Sequence, residues 1–136
     1  YGGPAIIVDF STATSFDVVG VDGTYQGSVI APGLSLSAEA LFQHTSRLPR
    51  VDLAQPRTVV GKDTTSAVQS GLVYGHIAMV RGMIMRIRAE TGHAGSVIAT
   101  GEFAALIAGE IPEIKRLEPD LTLIGLRLIY ELNDEH

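Results

Sequence analysis

A chain of 136 residues and 14.4 kDa can bury one hydrophobic core and excludes a two-domain enzyme within its own length. Its 46% apolar and 18% charged residues mark a folded domain rather than a disordered or collagen-like chain, and the lack of cysteine excludes disulfides, thiolate chemistry and thiolate zinc sites. A formal charge of −5 argues against a protein built to neutralise nucleic-acid phosphates, and the most apolar region, 77–87, is broken by Arg81 and Arg86, short of the roughly 20 apolar residues of a membrane span.

The sequence opens on Tyr1-Gly2-Gly3-Pro4 rather than on a methionine, which reads as the middle of a longer polypeptide with no signal peptide. Ala5-Ile6-Ile7-Val8-Asp9-Phe10 is a β-branched run that predicts a buried strand ending on a carboxylate, followed by the polar turn Ser11-Thr12-Ala13-Thr14. Runs over 15–21 and 24–30, joined by Asp22-Gly23, predict a hairpin and so a three-stranded antiparallel meander closed by Ala31-Pro32-Gly33. Leu36, Ala40, Leu41 and His44 recur at helical spacing over 35–47, with Ser35 or Ser37 as the N-cap.

Pro49 and Pro56 make 48–60 a surface connection with one short extended segment. Gly61-Lys62-Asp63-Thr64 then opens the longest helix, which carries Val68, Leu72, Met79, Met83 and Ile87 on one face and stops at Gly92. Gly71, Gly75 and Gly82 inside it each cost about 1 kcal/mol relative to alanine, which implies a close approach by another element. Residues 97–100 predict a fourth strand and 103–108 a helix; 120–123 read as a fifth strand or extended lead-in to a last amphipathic helix over 125–133. The order β-β-β-α-α-β-α-β-α resembles the ribonuclease-H-like α/β plan, in which an antiparallel meander feeds parallel strands covered by helices.

Asp9 followed by Ser11, Thr12, Thr14 and Ser15 reads either as a lining for an anion or a metal-bound phosphate, or as a turn whose hydroxyls satisfy local backbone groups. Asp17 shares a face with Asp9 only if the turn is regular. The segment 61–64 places backbone donors, a lysine and a hydroxyl at a helix start, which suits an anion or a plain N-cap; Pro56 stands where a P-loop needs glycine. Glu102, after Ala99-Thr100-Gly101, sets a negative charge against phosphate contact. His44, His76, His93 and His136 lack the spacing of a helical metal site, and Arg81, Arg86 and Arg88 with Glu90 read as a solvated, ion-paired face. Hydrolase elbows, zinc-protease motifs and RNA-binding aromatic boxes are absent.

Four segments together resemble the C-terminal half of type III pantothenate kinases. They are Val8-Asp9-Phe10-Ser11-Thr12-Ala13-Thr14-Ser15-Phe16-Asp17; Gly27-Ser28-Val29-Ile30-Ala31-Pro32-Gly33; Gly61-Lys62-Asp63-Thr64 with Gln69-Ser70-Gly71; and Asp120-Leu121-Thr122-Leu123 with Gly125-Leu126-Arg127. The resemblance implies that 1–136 form the C-terminal ribonuclease-H-like domain of a two-domain cytoplasmic kinase in the acetate and sugar kinase, Hsp70 and actin superfamily. It also implies phosphorylation of pantothenate by ATP, with Mg2+ accompanying the nucleotide, as the first step of coenzyme A synthesis.

By the same resemblance Asp9 would hold a monovalent cation, K+ or NH4+, Thr12 would contact ATP and Thr64 would touch pantothenate; the chemistry is largely positioning and charge stabilisation. A homodimer through the long helix at Gly71 and Gly75 is implied, with neither nucleic acid nor membrane as partner. Ser11, Ser28 and Glu102 replace glycines usual in the family. The Asp-x-Gly-Asn-Thr phosphate loop and the Gly-x-Asp-Arg segment of the N-terminal domain do not occur in this sequence, so the chain alone is expected not to turn over. The alternatives are a noncatalytic relative serving as an interaction or regulatory module, and an unrelated ribonuclease-H-like domain, which would need further carboxylates near Asp9 to bind two magnesium ions.

Overall fold

β-Branched and aromatic residues dominate the first 30 positions, and they pair there as strands. The computed structural model describes residues 2–134. Strands β1 (Ala5–Phe10), β2 (Ala13–Val19) and β3 (Tyr25–Pro32) form the antiparallel meander, and β4 (Ser96–Thr100) and β5 (Ile114–Leu117) extend it in parallel from β1. The result is one mixed sheet of five strands in the order β3-β2-β1-β4-β5. Helices α1 (Leu34–His44), α2 (Thr64–Thr91), α3 (Ala104–Ile107) with a 3-10 turn at Ala108–Glu110, and α4 (Leu121–Asp134) complete the chain.

The observed succession of strands and helices matches the predicted one in type, although the fifth strand falls at other residues. The hairpin turns at Asp22-Gly23 as its chemistry demands: Gly23 has φ +81°, and the Asp22 carboxylate accepts from the Thr24 hydroxyl and N–H at 2.6 and 3.1 Å. Those bonds hold the Asp22 carboxyl below its ordinary pKa.

One face of the sheet meets α2. Ile6, Val8, Phe10, Phe16 and Val18 from the strands and Val73, Val80 and Ile84 from the helix form one buried cluster. Full burial of each such side chain contributes about 1.5–3 kcal/mol, which is what holds a 28-residue helix against the sheet despite its glycines. Asp63 caps α2, accepting from the Ser66 N–H at 2.9 Å, and the Gly92 N–H closes the other end on the Arg88 carbonyl at 3.0 Å. Met79 and Met83 flank the buried stripe half-exposed instead of forming its centre.

Several expectations are corrected. Residues 120–123 are no strand: the Asp120 carbonyl accepts from the Ile124 N–H at 2.9 Å, so the last helix begins at Leu121, and the fifth strand is Ile114–Leu117. That strand lies at the sheet edge and half-buries only Ile114, so its two cations hide it from any hydrophobic pattern. Helix α1 starts at Leu34 with Gly33 as N-cap and no side-chain cap; neither Ser35 nor Ser37 serves, and Leu34, Ala38 and Leu41 face inward while Leu36, Ala40 and His44 are exposed. Residues 48–60 contain no strand. A Cβ built at Gly71, Gly75 or Gly82 meets nothing within 4 Å, so no element of the described residues makes the close approach that these glycines implied.

Candidate functional site

The parallel strands β1 and β4 end side by side. Their register pairs Asp9 with Thr100, and the antiparallel register pairs Asp9 with Ser15 on the other side, so the three share one face at one end of the sheet. Asp17 lies opposite Ile7 and therefore on that same face, two positions along β2 from Ser15. The pairing that sequence alone left open is thus fixed by the strand register.

Turns close around this end. The Ser11 hydroxyl donates to Asp9 Oδ1 at 2.5 Å, and Thr12, the next residue of the bend, is exposed. Gly101 follows β4 with φ +98°, a conformation L side chains rarely adopt, and a Cβ there would stand 2.5 Å from Asp9 Oδ1 and 2.7 Å from the Phe10 backbone. Gly33, at the head of α1, is pressed against the bend so that a Cβ would collide with the Thr12 carbonyl oxygen. A half-buried carboxylate, hydroxyls and close-packed backbone therefore converge from three chain segments.

Thr64 belongs to a different element. It is the first residue of α2, exposed, with Asp63 rather than itself supplying the cap. His76 marks where α2 meets β2, and the 12 residue steps from Thr64 to His76 correspond to about 18 Å of helix axis. Thr14 meets His76 while Val18 shares a groove with Ile87 and Thr91, so α2 runs toward its C-terminus in the Thr14-to-Val18 direction and its N-terminus lies toward the Thr14 end of β2. The Ser66 N–H and hydroxyl bonded to Asp63 hold that carboxyl below its ordinary pKa, which accounts for the 61–64 motif as a cap. No described hydrogen bond links Thr64 to Asp9 or Thr12.

A buried polar contact underlies the site and carries no sequence motif. Thr14 Oγ1 and His76 Nε2 lie 2.9 Å apart in the interior, with the His76 ring 6.0 Å from that of Phe10. Burial pushes the His76 pKa below its ordinary 6.5 and keeps the ring neutral. Beside it, a groove of about 260 Å³ runs between α1 and α2, with Ser37, Gly71, Gly75 and Met79 among its walls. Arg81 pairs with Glu113 at 3.1 Å and Arg88 donates to the Gly95 carbonyl at 3.1 Å, so two of the three arginines tie α2 to the chain. Among the described residues no three His, Asp or Glu side chains are grouped to share a metal ion; His136 lies outside them.

A mixed sheet with helices packed on it, in which β1 pairs in parallel with β4 and antiparallel with β2 and gathers polar side chains at its carboxyl end, defines an α/β domain. A sequence profile of type III pantothenate kinases matches residues 1–86. The type III pantothenate kinase of Moorella thermoacetica is 49% identical over 133 residues, 98% of this chain and 52% of that protein. That of Desulfosudis oleivorans is 54% identical over 125 residues, 91% of this chain and 49% of its own.

The chain belongs to the type III pantothenate kinase family. It spans about half the length of these relatives. Its fold is also that of a solved structure from Campylobacter jejuni, assigned to the Baf family of transcriptional activators, at a TM-score of 0.71 and 16% identity over 98% of this chain and 60% of that one. No described helix is long and apolar enough to cross a membrane.

Proposed function

We propose that this chain is the C-terminal, ribonuclease-H-like domain of a two-domain type III pantothenate kinase of the actin-like superfamily. In the full-length cytoplasmic protein it would serve the transfer of the ATP γ-phosphoryl group to pantothenate, opening coenzyme A synthesis. The observation that carries this reading is the Asp9 carboxylate at the end of the central strand, with Thr12 exposed in the adjoining bend and Gly101 backbone packed against the carboxylate.

The residues fit a monovalent cation. A single carboxylate sharing one face with the Ser15 and Thr100 hydroxyls is a hard oxygen donor set of low charge, suited to K+ or NH4+. Such an ion would offset phosphate charge when bound. Asp9 would hold it, Thr12 would orient ATP with its Mg2+, and Thr64 would contact pantothenate at the head of α2. The N-terminal domain would supply the phosphate loop and the general base. A second copy would pair along α2, where Gly71 and Gly75 leave a helix backbone open to close approach.

Phosphorylation of pantothenate by the complete gene product, measured with and without K+, tests the reading. Asp9→Asn should lower kcat/KM by roughly 100-fold, as loss of a charge-stabilising group does. Thr12→Ala should raise the KM for ATP, and Thr64→Ala that for pantothenate. Unchanged kinetics in Asp9→Asn would overturn the assignment. The noncatalytic alternative draws on Ser11, whose hydroxyl occupies one Asp9 oxygen. Ser11→Gly with Glu102→Gly should tighten ATP binding in calorimetry, and no change would remove the argument that these side chains intrude.

A further inference from the structure

Helix α4 carries more apolar surface than its own domain can use. Leu121, Ile124, Leu128 and Leu132 follow one another by three or four residues along one side, with Ile129 beside them; Leu123, Leu126 and Tyr130 line the opposite side. None of its residues is buried. Leu123, Leu126, Ile129, Tyr130 and Leu132 are between 57% and 68% exposed, whereas the outward face of α2 offers mostly glycine, alanine and charge. Arg127 and Glu131 pair with each other at 3.5 Å. A helix apolar on two sides belongs in the interior of a larger body, and an isolated helix of 14 residues is marginal in water.

We propose that α4 is the element by which this domain docks onto the other half of the full-length polypeptide, which covers both of its apolar sides; the proposal rests on the reading of this chain as one half of a two-domain protein. The Moorella thermoacetica relative aligns over 133 of the 136 residues, so no more than three lie outside the match and α4 belongs to the shared part. The match covers 52% of that protein, so in such a relative nearly as many residues again are available to cover the helix. A second copy fits less well, because pairing of α4 with its own twin about a two-fold axis covers one side and leaves the other in water.

Residues 1–136 contain no cysteine, so thiols can be placed at will. In the full-length protein, with any thiol of the other half replaced by serine, Leu126→Cys and Leu132→Cys probe the two sides of α4, and Val21→Cys, at the exposed hairpin, sets the rate of an open site. Both α4 thiols should react with a maleimide roughly 100-fold more slowly than the Val21→Cys thiol, at a rate independent of protein concentration. Labelling as fast as at Val21→Cys overturns the proposal. Slow labelling that speeds up on dilution, in step with dimer loss in sedimentation, overturns it in favour of a second copy. Circular dichroism confirms that each variant is folded. Pantothenate phosphorylation by the unsubstituted protein is scored separately: protected thiols without kinase activity sink the functional reading and leave the docking intact, and open thiols in an active kinase do the reverse.

Discussion

Helices α2 and α4 are both rich in large apolar residues, yet one is finished by its own domain and the other is not. α2 directs Val73, Val80 and Ile84 at the sheet and turns small residues such as Ala67, Gly71, Gly75 and Ala78 outward, so little apolar surface is left in water. α4 has leucines on both sides and buries none of them. The difference separates residues that make this fold from residues that await something outside it. Apolar content alone does not tell the two apart; its distribution around the helix does.

The largest expected effect lies on the finished side. Ile84→Ala should destabilise the chain by about 2–5 kcal/mol in urea unfolding, since a fully buried side chain leaves a cavity. Thr14→Val comes next, at about 1–3 kcal/mol at pH 7.5, because His76 Nε2 loses its buried partner. His76 itself adds a pH dependence to α2. Its folded pKa is depressed, so the unfolded chain binds the extra proton first; the stability it contributes is complete above 6.5 and is lost as pH falls below that value. Unfolding midpoints at pH 7.5 and 5.5 should diverge in the parent chain, and His76→Gln should reduce that divergence.

Asp63→Ala should lower the midpoint by less than Thr14→Val, through loss of the cap on Ser66, and this difference should shrink in acid as the Asp63 carboxylate protonates. Smallest of all, Leu126→Ala should change the stability of the 136-residue chain by no more than about 0.5 kcal/mol, as an exposed substitution does. A loss there comparable with that of Ile84→Ala would erase the contrast between the helices.

Much of the framework was legible because its signals are local. The β-branched run ending on Asp9, the Asp22-Gly23 turn and the Gly92 stop each act through neighbours a few residues away. Ile114–Leu117 was not legible, since its place is set by hydrogen bonding to β4 rather than by its own alternation. The inward side of α1 was not legible for a related reason: Leu34 and Ala38 face the core next to Gly33, which is held against the Thr12 carbonyl, a long-range contact. At the site, Asp9 and Thr12 could be picked out from type and position. Their grouping with Ser15, Thr100 and Gly101 required the register of both neighbouring strands.

The connection over residues 45–63 has no regular structure but is strapped to α2. Gln69 donates to the Asp52 carbonyl at 3.0 Å, Tyr74 to that of Pro56 at 2.5 Å, and Ser70 to that of Val59. Trypsin should therefore cut readily at the exposed Arg47, ahead of the first strap, and slowly at Arg57, which lies between the second and the third. Extra residues spliced in at 46 would fall outside every strap, whereas the same insertion at 57 would have to bulge out between two of them.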